Sequence, residues 1–221
     1  MIPRTLVDTA RIPGGPEMNL YRRGGDHMIL VEREELMSTR MSGSEEALAE
    51  LTAARLGMRP NQRWLVGGYG MGFTLRAALS RLPKDAEVVV AELVPEIIDW
   101  ARGPMAELTG GCLDDARVLV VIGDVADAIA RGGWDAILLD VDNGPDALVR
   151  PGNDRLYGPL GLAVTYRALR PKGLLAVWSA APDARFSKAL AAANFLVEEQ
   201  AVRARANGKG PRHHLWFASP R

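Results

Sequence analysis

The 221-residue chain has one cysteine, Cys112, no surplus of charge of either sign, and no apolar run near the ~20 residues needed to cross a bilayer. Each scarcity excludes something. A single cysteine cannot build an internal disulfide framework or a thiolate zinc cluster, and it fits a reducing compartment. Cys112 itself reads as a small, partly buried apolar residue rather than a nucleophile. With 27 lysines and arginines against 27 aspartates and glutamates, no overall field draws the molecule to nucleic acid or to an acidic membrane, so a small-molecule partner is expected. The start MIPRTLVDTARIPGG lacks the basic end and apolar core of a secretory signal, which makes a cytoplasmic location the expectation.

What is present is glycine, concentrated at one place. LVGGYGMGFTLRAAL, residues 65–79, puts Gly67, Gly68, Gly70 and Gly72 between an apolar strand-like run and the start of a helix. Glycine there permits a sharp turn and lets a ligand approach the peptide N–H groups. A phosphate loop would need lysine and then serine or threonine after the last glycine, where this chain has Phe73-Thr74, and the spacing G-x-G-x-G departs from the dinucleotide pattern G-x-G-x-x-G.

Around that turn the pattern alternates. RWLVG (63–67), EVVVAEL (87–93), ARVLVVIGD (116–124), WDAILLD (134–140) and GLLAVWS (173–179) are apolar on both faces, as strands covered from both sides must be. Helical segments are expected at Phe73–Arg81, Pro95–Leu108, Val125–Ala130 and Leu160–Leu169, with two further strands at 195–202 and 212–218 around NGKGP. This predicts an α/β, Rossmann-like, doubly wound and mostly parallel seven-stranded sheet, preceded by a short N-terminal hairpin and helix. Residues 1–17 read as an arm without regular structure, and MNLYRRGGDHMILVERE as a hairpin turning at Gly24-Gly25-Asp26. Ser42 and Glu45 read as a capping box for a helix running to about Leu56. Two units are therefore expected: 1–57, the arm, hairpin and helix cap, and 58–221, the ligand-binding domain.

Ligands of such sheets bind beyond the carboxyl ends of the strands. Glu92 stands there, about twenty residues after the last glycine, where an acid can accept from both ribose hydroxyls; Asp124 ends the third strand and Asp140 the fourth. Glycines and acids in this order point to a nucleoside, with Asp124 on the adenine side and Asp140 at the reacting end.

These stretches resemble the spermidine synthase, or aminopropyltransferase, family within the class I S-adenosylmethionine-dependent methyltransferase fold. LVGGYGMGFTLRAAL is similar to its glycine loop, AELVPEIIDWAR to its ribose-binding strand and helix, IGDVADAI to its adenine-side segment, and WDAILLDVDNGP with LYGPLGLAVTYRALRPKGLLAVW to its catalytic segment and lid. The resemblance implies S-adenosylmethionine or its decarboxylated form as cofactor, bound by Gly67, Gly68, Gly70, Gly72, Glu92, Asp124 and Asp140, with no metal. It implies Asp140 as base or electrostatic holder of a small amine-like acceptor, Asp142 as its substitute, and Tyr157 on a lid over 143–159. Departures accompany it. The family's D-[ST]-[ST]-D-P is here Asp140-Val141-Asp142-Asn143-Gly144-Pro145, the positions matched to its first-helix tyrosine, histidine or glutamine, and glutamate are Leu48, Ala49 and Glu50, and the N-terminal sheet is expected to shrink to one hairpin.

Three activities stay open on this reading: alkylation of a small acceptor, most simply methyl transfer; aminopropyl transfer to a diamine, with Asp140, Asp142, Asp146, Glu45 and Glu50 available to pair with ammonium groups; and nucleoside binding without turnover. Trp100 could border the adenine. His213 and His214 point to opposite faces of a strand and do not share a metal. Arg203, Arg205, Lys209 and Arg212 read as a solvated edge. The N-terminal hairpin offers a plausible homodimer contact.

Overall fold

A computed structural model describes residues 2–141 and 154–221. The chain opens with a four-stranded antiparallel meander: β1 (Thr5–Arg11), β2 (Glu17–Arg23), β3 (Asp26–Val31) and β4 (Glu34–Ser38). The hairpin expected at Gly24-Gly25-Asp26 is present as β2–β3, whereas the arm expected over 1–17 is corrected by β1, and β4 extends the single hairpin to a four-stranded sheet. The reason is physical: β1 is an edge strand held by backbone pairing to β2, and only Ala10 of its seven side chains is buried, so burial left no alternation to read. Its Pro/Gly-rich exit, Ile12–Pro16, is a turn closed by Gly15 N–H donating to Ile12 O at 2.8 Å. The inner face of the meander, with Ile12, Met18, Leu20 and Ile29 buried, joins the same apolar cluster as Trp64 and Val66 of the central sheet.

Helix α1 (Gly43–Leu56) follows, burying Leu48, Ala49 and Thr52. The expected capping box is absent: the Ser42 side chain makes no cap bond, and the helix start is held instead by Gly43 N–H on Ala204 O at 2.9 Å. Glu45 is thereby free to turn inward.

The central sheet comprises β5 (Arg63–Gly67), β6 (Glu87–Glu92), β7 (Val118–Ile122), β8 (Trp134–Leu139), β9 (Leu169–Ser179), β10 (Phe195–Arg203) and β11 (Arg212–Pro220), in the order β10-β11-β9-β8-β5-β6-β7. Five neighbouring strands, β9 to β7, run parallel, and β11 and β10 close one edge antiparallel. Alternate residues of each inner strand face opposite layers. Trp64, Val66, Ala136 and Leu138 pack toward α1 and α2 (Phe73–Arg81), whereas Leu65, Ile137 and Leu139 pack toward α5 (Val125–Ala130), α7 (Pro159–Ala168) and α8 (Ala184–Ala192). Burial on both faces explains why these strands carry almost no polar residue.

Two helices differ from the sequence expectation. The segment expected as one helix over 95–108 splits into α3 (Pro95–Arg102) and α4 (Ala106–Thr109), because Gly103 leaves helical geometry and Pro104 has no N–H to continue the ladder. The short α6 (Asp154–Tyr157) leads into α7. Helix α8 had no counterpart in the sequence reading; Asp183 caps it, accepting from Arg185 N and Phe186 N at 2.8 and 3.2 Å, and Phe186 and Leu190 bury one face. No helix among the described residues is long and apolar enough to cross a membrane.

Candidate functional site

Strand order reverses between β5 and β8, so their chains diverge beyond the carboxyl ends and leave a crevice. Gly67 and Leu139 pair at the last rung, and Asp140 N–H donates to Gly67 O at 3.1 Å. The glycine turn is built against this junction. Gly68 has φ +81°, and a Cβ there would lie 2.6 Å from the Asp140 carbonyl oxygen; Gly70 has φ +53°, and a Cβ would meet Met37 Sδ at 2.8 Å. Only glycine satisfies both the backbone conformation and the close approach.

Glu92, at the tip of β6, is buried and fastens the turn. Its Oε2 accepts from Tyr69 N–H at 2.8 Å and its Oε1 from Val94 N–H at 2.9 Å. Burial raises its carboxyl above the ordinary glutamate value, and the amides of Val94 and Tyr69 oppose that rise. Asp124 caps α5, its Oδ1 accepting from Ala126 N–H at 2.9 Å.

Asp140 ends β8 and receives a 2.6 Å hydrogen bond from the Thr74 hydroxyl, at the start of α2. Burial pushes it up to about 6, the Thr74 bond holding it from rising further. Glu45 faces the same space from α1 and is 5% exposed. Burial and then the charge of Asp140 push it up to about 8, against the opposing hydrogen bond from Ser44. Two interacting carboxyl groups give up their protons in two steps that belong to the pair.

Together these groups line one cleft of about 970 Å³ including its open mouth. Its polar walls are Gly68, Gly70, Glu92, Asp124, Glu45 and Asp140; its apolar wall comes partly from the meander, through Ile12, Met18, Ile29, Leu36 and Met37. Among the described lining residues there are four carboxylates and no lysine, arginine or histidine.

The structure thus brings Gly68, Gly70, Glu92, Asp124 and Asp140 to one crevice, while Gly67 and Gly72 shape the turn from behind: a Cβ on Gly72 would lie 2.7 Å from Tyr69 Oη. Tyr157 does not reach the cleft wall. Its ring is buried edge-on against Phe186, centroids 5.4 Å apart, and its neighbour Leu156 lines the cleft instead. Trp100 does not border the cleft either; it is 1% exposed in the core, its Nε1 donating to Asp8 at 2.7 Å. Asp142 and Asp146 lie outside the described residues.

Of the first-helix positions matched by resemblance, Leu48 and Ala49 are core residues and Glu50 pairs with Arg81 at 2.8 Å on the outer face. The acid that enters the cleft is Glu45, for which the sequence offers two roles, a helix cap and one of five carboxylates for pairing with ammonium groups; the structure excludes the cap and places it in the cleft wall. The one signal for it was its place on α1 a helical turn before Leu48 and Ala49. Met37, whose Sδ accepts from Met71 N–H at 3.2 Å, was also missed, since no motif marks it.

The arrangement fits an adenosyl ligand on two grounds. Glycine keeps side chains out of the turn at Gly68 and Gly70, on the cleft wall, and Glu92 sets an acidic acceptor beside them at the tip of β6, where ribose hydroxyls would lie. Comparison with known proteins bears on the same reading. No family model matches the chain. It is 37% identical over 123 residues to a polyamine aminopropyltransferase of Mycobacterium tuberculosis, a match that covers 53% of this chain and 23% of the relative. A polyamine aminopropyltransferase of Synechococcus is 36% identical over 90 residues, 38% of this chain and 28% of that one. The chain therefore spans less than a third of the length of these curated relatives. Among solved structures, spermidine synthase from Thermotoga maritima superposes with a TM-score of 0.76 at 16% identity, covering 97% of this chain and 72% of that one. Spermidine synthase in complex with the transition-state analogue AdoDATO gives 0.74 at 17% identity and the same coverage. In sequence across its matched part, and in fold across nearly its whole length, the chain is spermidine synthase/aminopropyltransferase-like.

Proposed function

We propose that the chain is a transferase that takes decarboxylated S-adenosylmethionine and moves its aminopropyl group to an amine. The observation that carries this is the acidity of the cleft: four carboxyl groups, Asp140 among them ionised at neutrality, and no cationic side chain among the described lining residues. A methionine-type carboxylate would meet only like charge there, whereas a cofactor with a sulfonium and an ammonium, and an ammonium acceptor, each find counter-charge. The names of the sequence relatives support the same choice over methyl transfer.

In this reading the glycine-turn amides and Glu92 hold the ribose side and Asp124 the adenine side. Asp140, aimed by Thr74, holds the acceptor ammonium and takes up its proton; a carboxyl raised to about 6 is a stronger base than an ordinary aspartate and still ionised at neutrality. When bound, decarboxylated S-adenosylmethionine supplies an alkyl carbon on a sulfonium that leaves as a neutral thioether, so no general acid is needed at the leaving group. The protein's share is alignment and removal of the proton from the nucleophile.

Incubation with decarboxylated S-adenosylmethionine and a panel of mono- and diamines, read by mass spectrometry, tests this. Methylthioadenosine and an aminopropylated amine are expected together. Methylated product from S-adenosylmethionine instead would establish methyl transfer, and binding of methylthioadenosine without product from either cofactor would establish a non-catalytic nucleoside-binding protein.

A further inference from the structure

The cleft continues outward through a chain of three side chains. Ser44 Oγ is 2.6 Å from Glu45 Oε2 and 2.8 Å from His213 Nδ1, and all three residues are at least nine-tenths buried. His213 belongs to β11, two strands along the sheet from β8, and its ring stands edge-on to Trp178, centroids 4.7 Å apart. His213 as a residue keeps 8% exposure, so it is not sealed from solvent. Nothing in the architecture requires a histidine, a serine and a glutamate to align here: neither Ser44 nor Glu45 caps α1.

We propose that Ser44 and His213 form a proton relay connecting the Glu45 carboxyl in the cleft with solvent. The chain is complete in either of two polarities. With Glu45 protonated, the carboxyl donates to Ser44 Oγ, and the serine hydroxyl donates to an unprotonated His213 Nδ1. With Glu45 ionised, the serine donates to Glu45 and His213 Nδ1–H donates to the serine. Passing from the first to the second moves one proton from Glu45 to Ser44 and one from Ser44 to Nδ1, and the imidazolium so formed gives up its Nε2 proton to solvent.

This inference rests on the transfer reading for its purpose. Alkylation of an ammonium nitrogen at a sulfonium carbon makes one C–N bond, breaks one S–C bond and liberates one proton. That proton starts in a cleft whose bound ligands block the direct way out. The relay first passes the proton of Glu45 to solvent, and the emptied Glu45 then takes over the proton that Asp140 has removed from the amine; a half-turn of the carboxyl presents that oxygen to Ser44 for the next passage. The supporting electrostatics are favourable: burial, then the neighbouring His214, lower His213, so at neutrality its ring is uncharged and able to accept. The groups facing the relay are Asp140 and Glu46 around Glu45, and His214, itself 2.7 Å from Glu199, beside His213.

The test reads the ring directly. Long-range ¹H–¹⁵N correlation of His213 in the full chain, without ligand, should show the Nε2–H tautomer below Glu45's midpoint of about 8 and the Nδ1–H tautomer above it. In Asp140→Asn, which removes the like charge that raises Glu45, the switch should move to lower pH. In Ser44→Ala it should vanish, and aminopropyl transfer should lose about tenfold or more in kcat with KM for the amine unchanged, as loss of a proton-transfer partner does. A tautomer that stays fixed across that range in the unmutated protein, or that switches identically in Ser44→Ala, overturns the relay. Should Ser44→Ala not fold, the Asp140→Asn shift decides alone, and a switch that ignores that substitution is equally fatal. A protein that switches as described but yields no alkylated amine overturns the transfer reading and leaves the relay standing.

Discussion

Thr74→Val isolates a single hydrogen bond at the reacting end of the cleft. Valine keeps the branched shape and loses only the hydroxyl that donates to Asp140 Oδ2 at 2.6 Å. Thr74 is 2% exposed, so water has little room to replace the donor. A hydrogen bond to an ionised partner contributes about 1.5–3 kcal/mol, and one pH unit corresponds to about 1.4 kcal/mol, so the aspartate should rise by about 1–2 units. From about 6 it would reach about 7–8, above the working pH of a neutral assay. Transfer needs Asp140 ionised, and protonation is what a raised value favours as pH falls. The acid limb of kcat/KM should therefore move up by the same 1–2 units: activity at about pH 7 drops by roughly two- to tenfold and returns near about pH 9. Methylthioadenosine release across this range supplies the profile, with Thr74→Ser as the variant that keeps the donor and the wild-type limb. An acid limb that stays in place in Thr74→Val, with activity scaled down equally at every pH, would refute the assignment of Asp140 as the titrating group.

Three further outcomes follow from the same geometry. Glu45 has a folded value of about 8 against an ordinary 4.5, so between those values the folded protein holds a proton the unfolded chain has lost, and stability falls as pH rises. Glu45→Gln should remove that loss, its advantage in thermal melts growing from about pH 5 and levelling off above about pH 8; melting curves that stay parallel would contradict it. Gly68→Ala places a Cβ 2.6 Å from a carbonyl oxygen at φ +81°, and should cost about 2–3 kcal/mol in denaturant unfolding and at least tenfold in methylthioadenosine affinity. Glu92→Ala removes the acceptor of Tyr69 N–H and Val94 N–H and the expected ribose contact; calorimetric titration with methylthioadenosine should show no binding, and unimpaired affinity would dismiss Glu92 from the site.

The parallel half of the fold was legible because both faces of its inner strands are buried. Runs such as Trp64-Leu65-Val66 and Ile137-Leu138-Leu139 have no polar position to blur them, and the glycine turn and strand-end acids punctuate them. The meander was legible only where it buries side chains. β2 and β3 carry Met18, Leu20 and Ile29 inward, whereas β1 is held by backbone bonds that side-chain patterning cannot encode. Helix α8 was overlooked for a related reason: only Phe186 and Leu190 are buried in it, among alanines that suit a helix but announce no face.

At the site, the strand-tip residues could be located in advance because strand ends are fixed by register: once β5 and β8 pair, Gly67 and Asp140 must meet. Glu45 depends on how α1 rotates over the sheet, and that rotation is set by Leu48 and Ala49 packing below it and by Ala204 holding its first amide. Sequence offered a local role for Glu45 as a capping residue, and that role lost to a costlier arrangement. An electroneutral chain has ample cations with which to pair two buried acids, as it pairs Glu50 with Arg81 and Asp135 with Arg170. It leaves Glu45 and Asp140 in one cleft wall, both raised by burial and Glu45 further by the charge of Asp140, at the expense of stability. A fold seldom keeps such a pair unless something else relieves it, and in the function proposed above that something is a positively charged guest, whose arrival would turn an unfavourable pair of acids into the favourable half of an ion pair.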